Sequence, residues 1–155
     1  MMVAAPVSPA EDLRIRERLA SGTVHFMGIS GAGMSALAEA MVRKGGRVTG
    51  CDWAPGPAAD PLVRLGVRVH PSHDPAHLEG VKTLIVTPAV PGDHPEVAEA
   101  GRLEIPVIKR ARALGAWVSG GSVVAVAGTH GKTTTTTMVT QILARSGMDP
   151  TGFVG

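Results

Sequence analysis

The sequence predicts an α/β chain: a parallel sheet carrying helices on both faces. Three observations predict it. Short apolar runs alternate with helix-patterned segments from residue 23 to residue 118, and two of those runs break into glycine-rich turns. The length of 155 residues, with 44% hydrophobic residues, is enough for one domain with a substantial core. Neighbouring parallel strands require crossovers, and the intervening helices supply them.

Each element follows from local chemistry. Met1 to Val7 reads as a loose tail, after which Ser8-Pro9-Ala10-Glu11 has the form of a capping box with proline at the first helical position. A short helix to about Ala20 is expected, its arginines on a solvated face. Val24 to Met27 reads as the first strand and Gly28 to Gly33 as a tight turn. Met34 to Lys44 is a helix, with Met34, Leu37, Ala38 and Met41 on one face. Gly45-Gly46 stops that helix, and Arg47 to Gly50 forms the second strand, placing Cys51-Asp52 at its carboxyl end. A proline-rich stretch, Ala54 to Pro61, precedes a short helix at Leu62 to Leu65 and a third strand at Val67 to Val69. Thr83 to Val86 is the fourth strand and ends in the stiff loop Thr87 to Pro91. A helix over Pro95 to Arg102, a fifth strand over Ile105 to Ile108 and a helix over Ala111 to Val118 complete the pattern. Val123 to Ala127 then reads as a buried strand beneath a second glycine loop, with a last helix from Thr133 to Ser146. The expected division is a tail and short helix over 1–22, a first domain over 23–119 and the start of a second over 120–155.

Composition excludes several classes. Lys and Arg are scattered and the net charge is only +2, which suits small anionic ligands better than a nucleic-acid track. Aromatic residues make up 3%, too few for a platform that stacks bases. No apolar stretch approaches the roughly 20 residues that cross a bilayer, so no membrane insertion is expected. The single cysteine, Cys51, has no internal partner and points to a reducing, cytoplasmic compartment.

The two loops carry the chemistry. Gly28-Ile29-Ser30-Gly31-Ala32-Gly33 lies between strand and helix, as a dinucleotide fingerprint does, with Asp52 downstream as an acceptor for ribose hydroxyls. Ser30 takes the middle position, where that pattern has glycine, so it either donates a hydrogen bond to a diphosphate or crowds it. The second loop, Gly128-Thr129-His130-Gly131-Lys132-Thr133-Thr134, retains the short Gly-Thr-X-Gly-Lys-Thr form, although Val126 stands where the usual phosphate loop begins with glycine. Its backbone N–H groups suit an anion, Lys132 suits a terminal phosphate and the Thr133 hydroxyl suits Mg²⁺. A lysine at a helix start opposes the helix dipole, so its placement calls for a negative ligand such as ATP.

Other residues read more weakly. His70, His73 and His77 have spacings like a helical metal face, but Pro71 and Pro75 interrupt the segment, so no metal site is expected there. His73 follows the third strand and Thr87 ends the fourth, at the rim where open α/β sheets bind ligands. Cys51 reads as a small packed residue.

Taken together, His25-Phe26-Met27-Gly28-Ile29-Ser30-Gly31-Ala32-Gly33-Met34-Ser35, Thr49-Gly50-Cys51-Asp52, His94-Pro95-Glu96 and Gly128 to Thr136 closely resemble the Mur ligases of peptidoglycan synthesis. The resemblance runs from about Thr23 to Gly155. It implies a Rossmann-like first domain holding a UDP-sugar at Gly28, Ser30, Gly31, Ala32, Gly33 and Met34, with Asp52, His73 and Thr87 nearby. It also implies the first strand, phosphate loop and helix of a truncated ATP-binding domain. Gly128, Thr129, His130, Gly131, Lys132, Thr133 and Thr134 would hold ATP, Lys132 would act catalytically on the phosphates and Thr133 would ligate Mg²⁺. Ala32-Gly33-Met34-Ser35 favours the alanine-adding branch, in which UDP-N-acetylmuramate is activated as an acyl phosphate and attacked by L-alanine. The branch that recycles a tripeptide onto the same nucleotide sugar stays open, as does a non-catalytic NAD-type module. The amino-acid-binding part expected of such a ligase has no counterpart in these residues, so the chain by itself is expected to bind and not to ligate.

Overall fold

The computed structural model describes residues 8–154. The expected tail over Met1 to Val7 lies outside them. Five strands form one sheet: β1 (Thr23–Met27), β2 (Arg47–Cys51), β3 (Arg68–His70), β4 (Val81–Val86) and β5 (Val107–Lys109). Their order is β3-β2-β1-β4-β5 and every pairing is parallel, as the alternating pattern predicts. Chain direction across the sheet reverses between β1 and β4, which opens a crevice at their carboxyl ends.

Burial explains why these runs are strands. Val24, Phe26, Met27, Leu84 and Ile85 are fully buried, and the pattern is nearly continuous along β1 and β4 because both sheet faces are covered. On one face lie α1 (Pro9–Ser21), α2 (Ala32–Arg43), α3 (Asp60–Arg64) and α5 (Arg110–Val118), enclosing Leu19, Phe26, Met34, Leu37, Met41, Leu62 and Ala113. The other face is covered by α4 (Pro95–Arg102) and a short 3-10 turn over Pro75–Leu78, around Met27, Leu78, Leu84 and Ala100. Ser8 caps α1 by accepting from Glu11 N at 3.2 Å, as its sequence implies. Arg112 of α5 pairs with Glu11 and Asp12, fastening α1 to α5.

The terminal segment departs from expectation. Val123 to Ala127 has no regular secondary structure and joins no ladder, and Val123 and Val124 are 56% and 67% exposed. It is not a buried strand, because a β-strand needs a neighbour for its N–H and C=O groups and the described residues provide none. The helix that follows, α6 (Lys132–Arg145), buries no residue fully, and it leaves a cleft of about 380 Å³ against Leu114 and Val118 of α5.

Candidate functional site

The first glycine loop sits at the carboxyl end of β1, beside the crevice. It is clamped to β2: Gly28 N and Ile29 N donate to Cys51 O at 2.8 and 3.1 Å. Gly28 adopts φ +73°, a left-handed conformation that glycine adopts at little cost. Asp52 shapes the loop directly, since its Oδ2 accepts from Ser30 N at 3.0 Å and its Oδ1 from Ala54 N at 3.2 Å. The Asp52 carboxylate is thus first a brace for the turn, with its remaining lone pairs left for hydroxyl donors.

Three features make this turn receptive to an anion. Gly31 caps α2 with no side-chain hydrogen bond, and the first turn holds no acidic residue, so the helix start keeps its positive character. Ser30 Oγ is buried without a hydrogen-bond partner, a hydroxyl available to a ligand oxygen. Arg110, the first residue after β5, lies directly over Gly33. A Cβ at position 33 would come within 2.5 Å of its Nη1. Thr87 is half-buried on the same rim, 3.9 Å from where a Cβ of Gly28 would stand. The structure therefore brings Gly28, Ser30, Gly33, Asp52 and Thr87 to one rim and adds Arg110, which the sequence does not announce. Only the strand order shows that the start of α5 faces the start of α2.

His73 lies apart from the turn, in a polar cluster on the opposite face of the sheet. Its Nδ1 is 3.1 Å from Glu96 Oε2 and 3.0 Å from Cys51 Sγ, and its ring meets Trp53 edge-on. His25 and Glu96 are fully buried there. Burial pushes the His25 imidazole down to about 4, against the opposing pull of Glu96, and burial together with Glu96 pushes the Cys51 thiol well up. Cys51 is thus packed, as expected, but it also has three polar neighbours that its sequence context does not announce.

The second loop turns into its helix through a left-handed glycine. Gly131 caps α6 at φ +77°, and Thr135 N donates to Gly131 O at 2.9 Å. Lys132 Nζ donates to Gly128 O and Thr129 O at 2.8 and 3.3 Å, so the ammonium lies across the mouth of its own loop. Thr133, Thr134 and His130 are exposed beside it.

With this geometry in place, comparison with known proteins is decisive. The model of the Mur ligase family, catalytic domain, matches residues 23–121. This chain belongs to the Mur ligase family. It is 49% identical over 134 residues to the UDP-N-acetylmuramate–L-alanine ligase of a Nocardioides species, a match covering 86% of this chain and 30% of the relative. The ligase of the same name from Leptothrix cholodnii is 46% identical over 132 residues, covering 85% and 28%. The chain thus spans about 30% of the length of the curated relatives it matches. Among solved Mur ligase structures, UDP-N-acetylmuramate-alanine ligase MurC from Thermotoga maritima superposes with a TM-score of 0.75 at 32% identity, over 81% of this chain and 30% of that one. A murein peptide ligase from Psychrobacter arcticus gives 0.76 at 32%, over 82% and 27%. Both bear out the Rossmann-like α/β fold.

Proposed function

We propose that this chain is the nucleotide-sugar-binding portion, with the phosphate loop, of an ATP-dependent ligase that joins L-alanine to UDP-N-acetylmuramate in peptidoglycan synthesis. The observation that carries the reading is the turn Gly28 to Met34, which holds an uncapped helix start and the unpartnered Ser30 hydroxyl, with the Arg110 guanidinium lying over Gly33. A diphosphate is the ligand this set fits, with the helix N–H groups and Arg110 meeting its charge and Ser30 donating. We assign Asp52 and Thr87 to the sugar hydroxyls; His73, held by Glu96 and Cys51 apart from the turn, is left out of that set. The two solved neighbours, one alanine-adding and one a murein peptide ligase, are equally similar at 32%. The curated relatives at 46–49% carry the alanine-adding name and favour that branch.

The second loop fits the phosphates of ATP. Its left-handed Gly131, uncapped helix start and Lys132 form a cationic cradle, and the exposed Thr133 hydroxyl suits Mg²⁺. ATP, when bound, supplies the leaving group that makes a carboxylate reactive toward an amine. Lys132, now on its loop carbonyls, would neutralise phosphate charge, and the N–H groups of Gly131 to Thr133 would hold the phosphate oxygens. The lone, buried Cys51 accords with a cytoplasmic setting.

Calorimetric titration of the chain with UDP-N-acetylmuramate, UDP, Mg-ATP and NADH tests the reading. UDP-N-acetylmuramate and UDP should bind, and Ser30→Ala should weaken both about 5- to 10-fold, the worth of one hydrogen bond at about 1 kcal/mol. Lys132→Ala should weaken Mg-ATP alone. NADH binding with no response to uridine nucleotides would overturn it in favour of an NAD-type module.

A further inference from the structure

The polar cluster beneath β1 and β2 meets the first loop through the Cys51 backbone carbonyl, but its side chains point to a different chemistry, concentrating metal-ligating atoms inside the core. Four elements supply one atom each: His25 Nε2 from β1, Cys51 Sγ from β2, His77 Nδ1 from the 3-10 turn and Glu96 Oε1 from α4. These atoms all lie within 4.8 Å of one another. We propose that His25, Cys51, His77 and Glu96 form a closed, structural binding site for a zinc-class divalent cation.

Geometry supports this first. Zinc bonds of about 2.0–2.3 Å in a tetrahedron place nitrogen and oxygen ligands about 3.3 Å apart and put sulfur about 3.6 Å from either. Cys51 Sγ lies 3.4 Å from His25 Nε2 and 3.5 Å from Glu96 Oε1. His77 Nδ1 lies 3.2 Å from Glu96 Oε1, and His25 Nε2 lies 3.9 Å from the same oxygen. The donor set of thiolate, imidazole and carboxylate is one that zinc takes, and four protein ligands leave no open position for catalysis.

Charge supports it independently. Glu96 is fully buried, and among the described residues its ion-pair partners are the histidines His25, His73 and His77, with no lysine or arginine. A dication with one thiolate and one carboxylate makes a neutral unit, the form a buried site favours. On loading, the Cys51 thiol gives its proton to solvent and both imidazoles bind in their neutral form.

The surrounding contacts orient the ligands. His25 Nδ1 is engaged with Thr49 Oγ1 at 2.8 Å, which turns Nε2 toward the cluster. Glu96 Oε2 is held by His73 at 3.1 Å, and Asp74 N donates to Oε1 at 3.2 Å. His70 stacks on the His77 ring with centroids 3.8 Å apart. His94 Nδ1 accepts from Glu96 N at 3.2 Å and caps α4, and with His73 and Glu96 it makes a second, three-residue set of possible ligands that shares the same carboxylate. The competing arrangement is a metal-free hydrogen-bond network using the same contacts.

The test uses the whole chain, stripped with a chelator and titrated with Zn²⁺ or Co²⁺ alone. One equivalent per chain should bind, and Co²⁺ should give a thiolate-to-metal charge-transfer band with the intense visible bands of tetrahedral coordination. Cys51→Ser should abolish the charge-transfer band, and Zn²⁺ should raise the melting temperature of the wild type but not of His77→Asn. Thr49→Val should weaken binding about 10- to 100-fold, as loss of an outer partner does. His77 is on a short turn at the edge of the cluster, so its replacement keeps the test valid where Cys51→Ser fails to fold. A folded wild type without the charge-transfer band would overturn the proposal and leave the hydrogen-bond network. Binding that is unchanged in both Cys51→Ser and His77→Asn would equally overturn it, locating the ion elsewhere.

Discussion

At the scale of single residues, the candidate site depends on what small side chains permit. Gly33 is at the first turn of α2 because Arg110 occupies the space a Cβ would need. Gly33→Val should therefore displace the guanidinium from the turn while leaving the buried residues of α2 in place. Loss of a charge-assisted hydrogen bond worth about 1.5–3 kcal/mol corresponds to UDP affinity about 10- to 100-fold weaker. Calorimetry reads the affinity, and an unchanged far-ultraviolet spectrum checks the fold. Affinity equal to wild type would remove Arg110 from the site. The glycines and Ser30 were legible because a turn between strand and helix dictates its own residue types. Arg110, His25, His77 and Glu96 were not, because their neighbours are chosen by strand order and lie far away in sequence. Pro71 and Pro75 do break a helical metal face, as read, yet His77 reaches Cys51 and Glu96 across the sheet instead of along its own segment.

At the scale of elements, the apolar alternation told true for β1 to β5 and the helices between them, with boundaries shifted by a residue or two. It failed at Val123 to Ala127. A run of valine and alanine has the composition of a buried strand, but composition cannot supply the partner strands, and here two of its valines are more than half exposed. The consequence falls on α6, which packs no buried residue although it is the longest helix described, at 14 residues. An isolated helix of that length is marginal in water, whereas α2 places Met34, Leu37, Ala38 and Met41 in the core. Amide hydrogen exchange should accordingly be rapid across Thr133 to Ser146 and slow across Met34 to Lys44. Equal protection of the two would mean that α6 shares the stability of the sheet.

At the scale of the whole molecule, that difference makes the sheet and its covering helices the cooperative unit and the second glycine loop an appendage to it. Both loops lead into helix starts, but the first is mounted on a packed scaffold, since Gly28 and Ile29 hydrogen-bond to β2 and α2 is anchored in the core, whereas α6 buries no residue fully. Stability measured on this chain should thus report the residues around β1 and α2 and ignore α6. Leu37 is fully buried, so Leu37→Ala should cost about 2–5 kcal/mol through lost burial and the cavity left behind. Ile142 is 62% exposed, and Ile142→Ala should stay within about 0.5 kcal/mol of wild type. Urea unfolding followed by far-ultraviolet dichroism checks both, the first by a large fall in midpoint and the second by none. A comparable loss in Ile142→Ala would show that the terminal helix is docked on α5 firmly enough to unfold with the sheet. The second glycine loop would then be held rigidly against the sheet, and the same exchange experiment would have to show α6 protected.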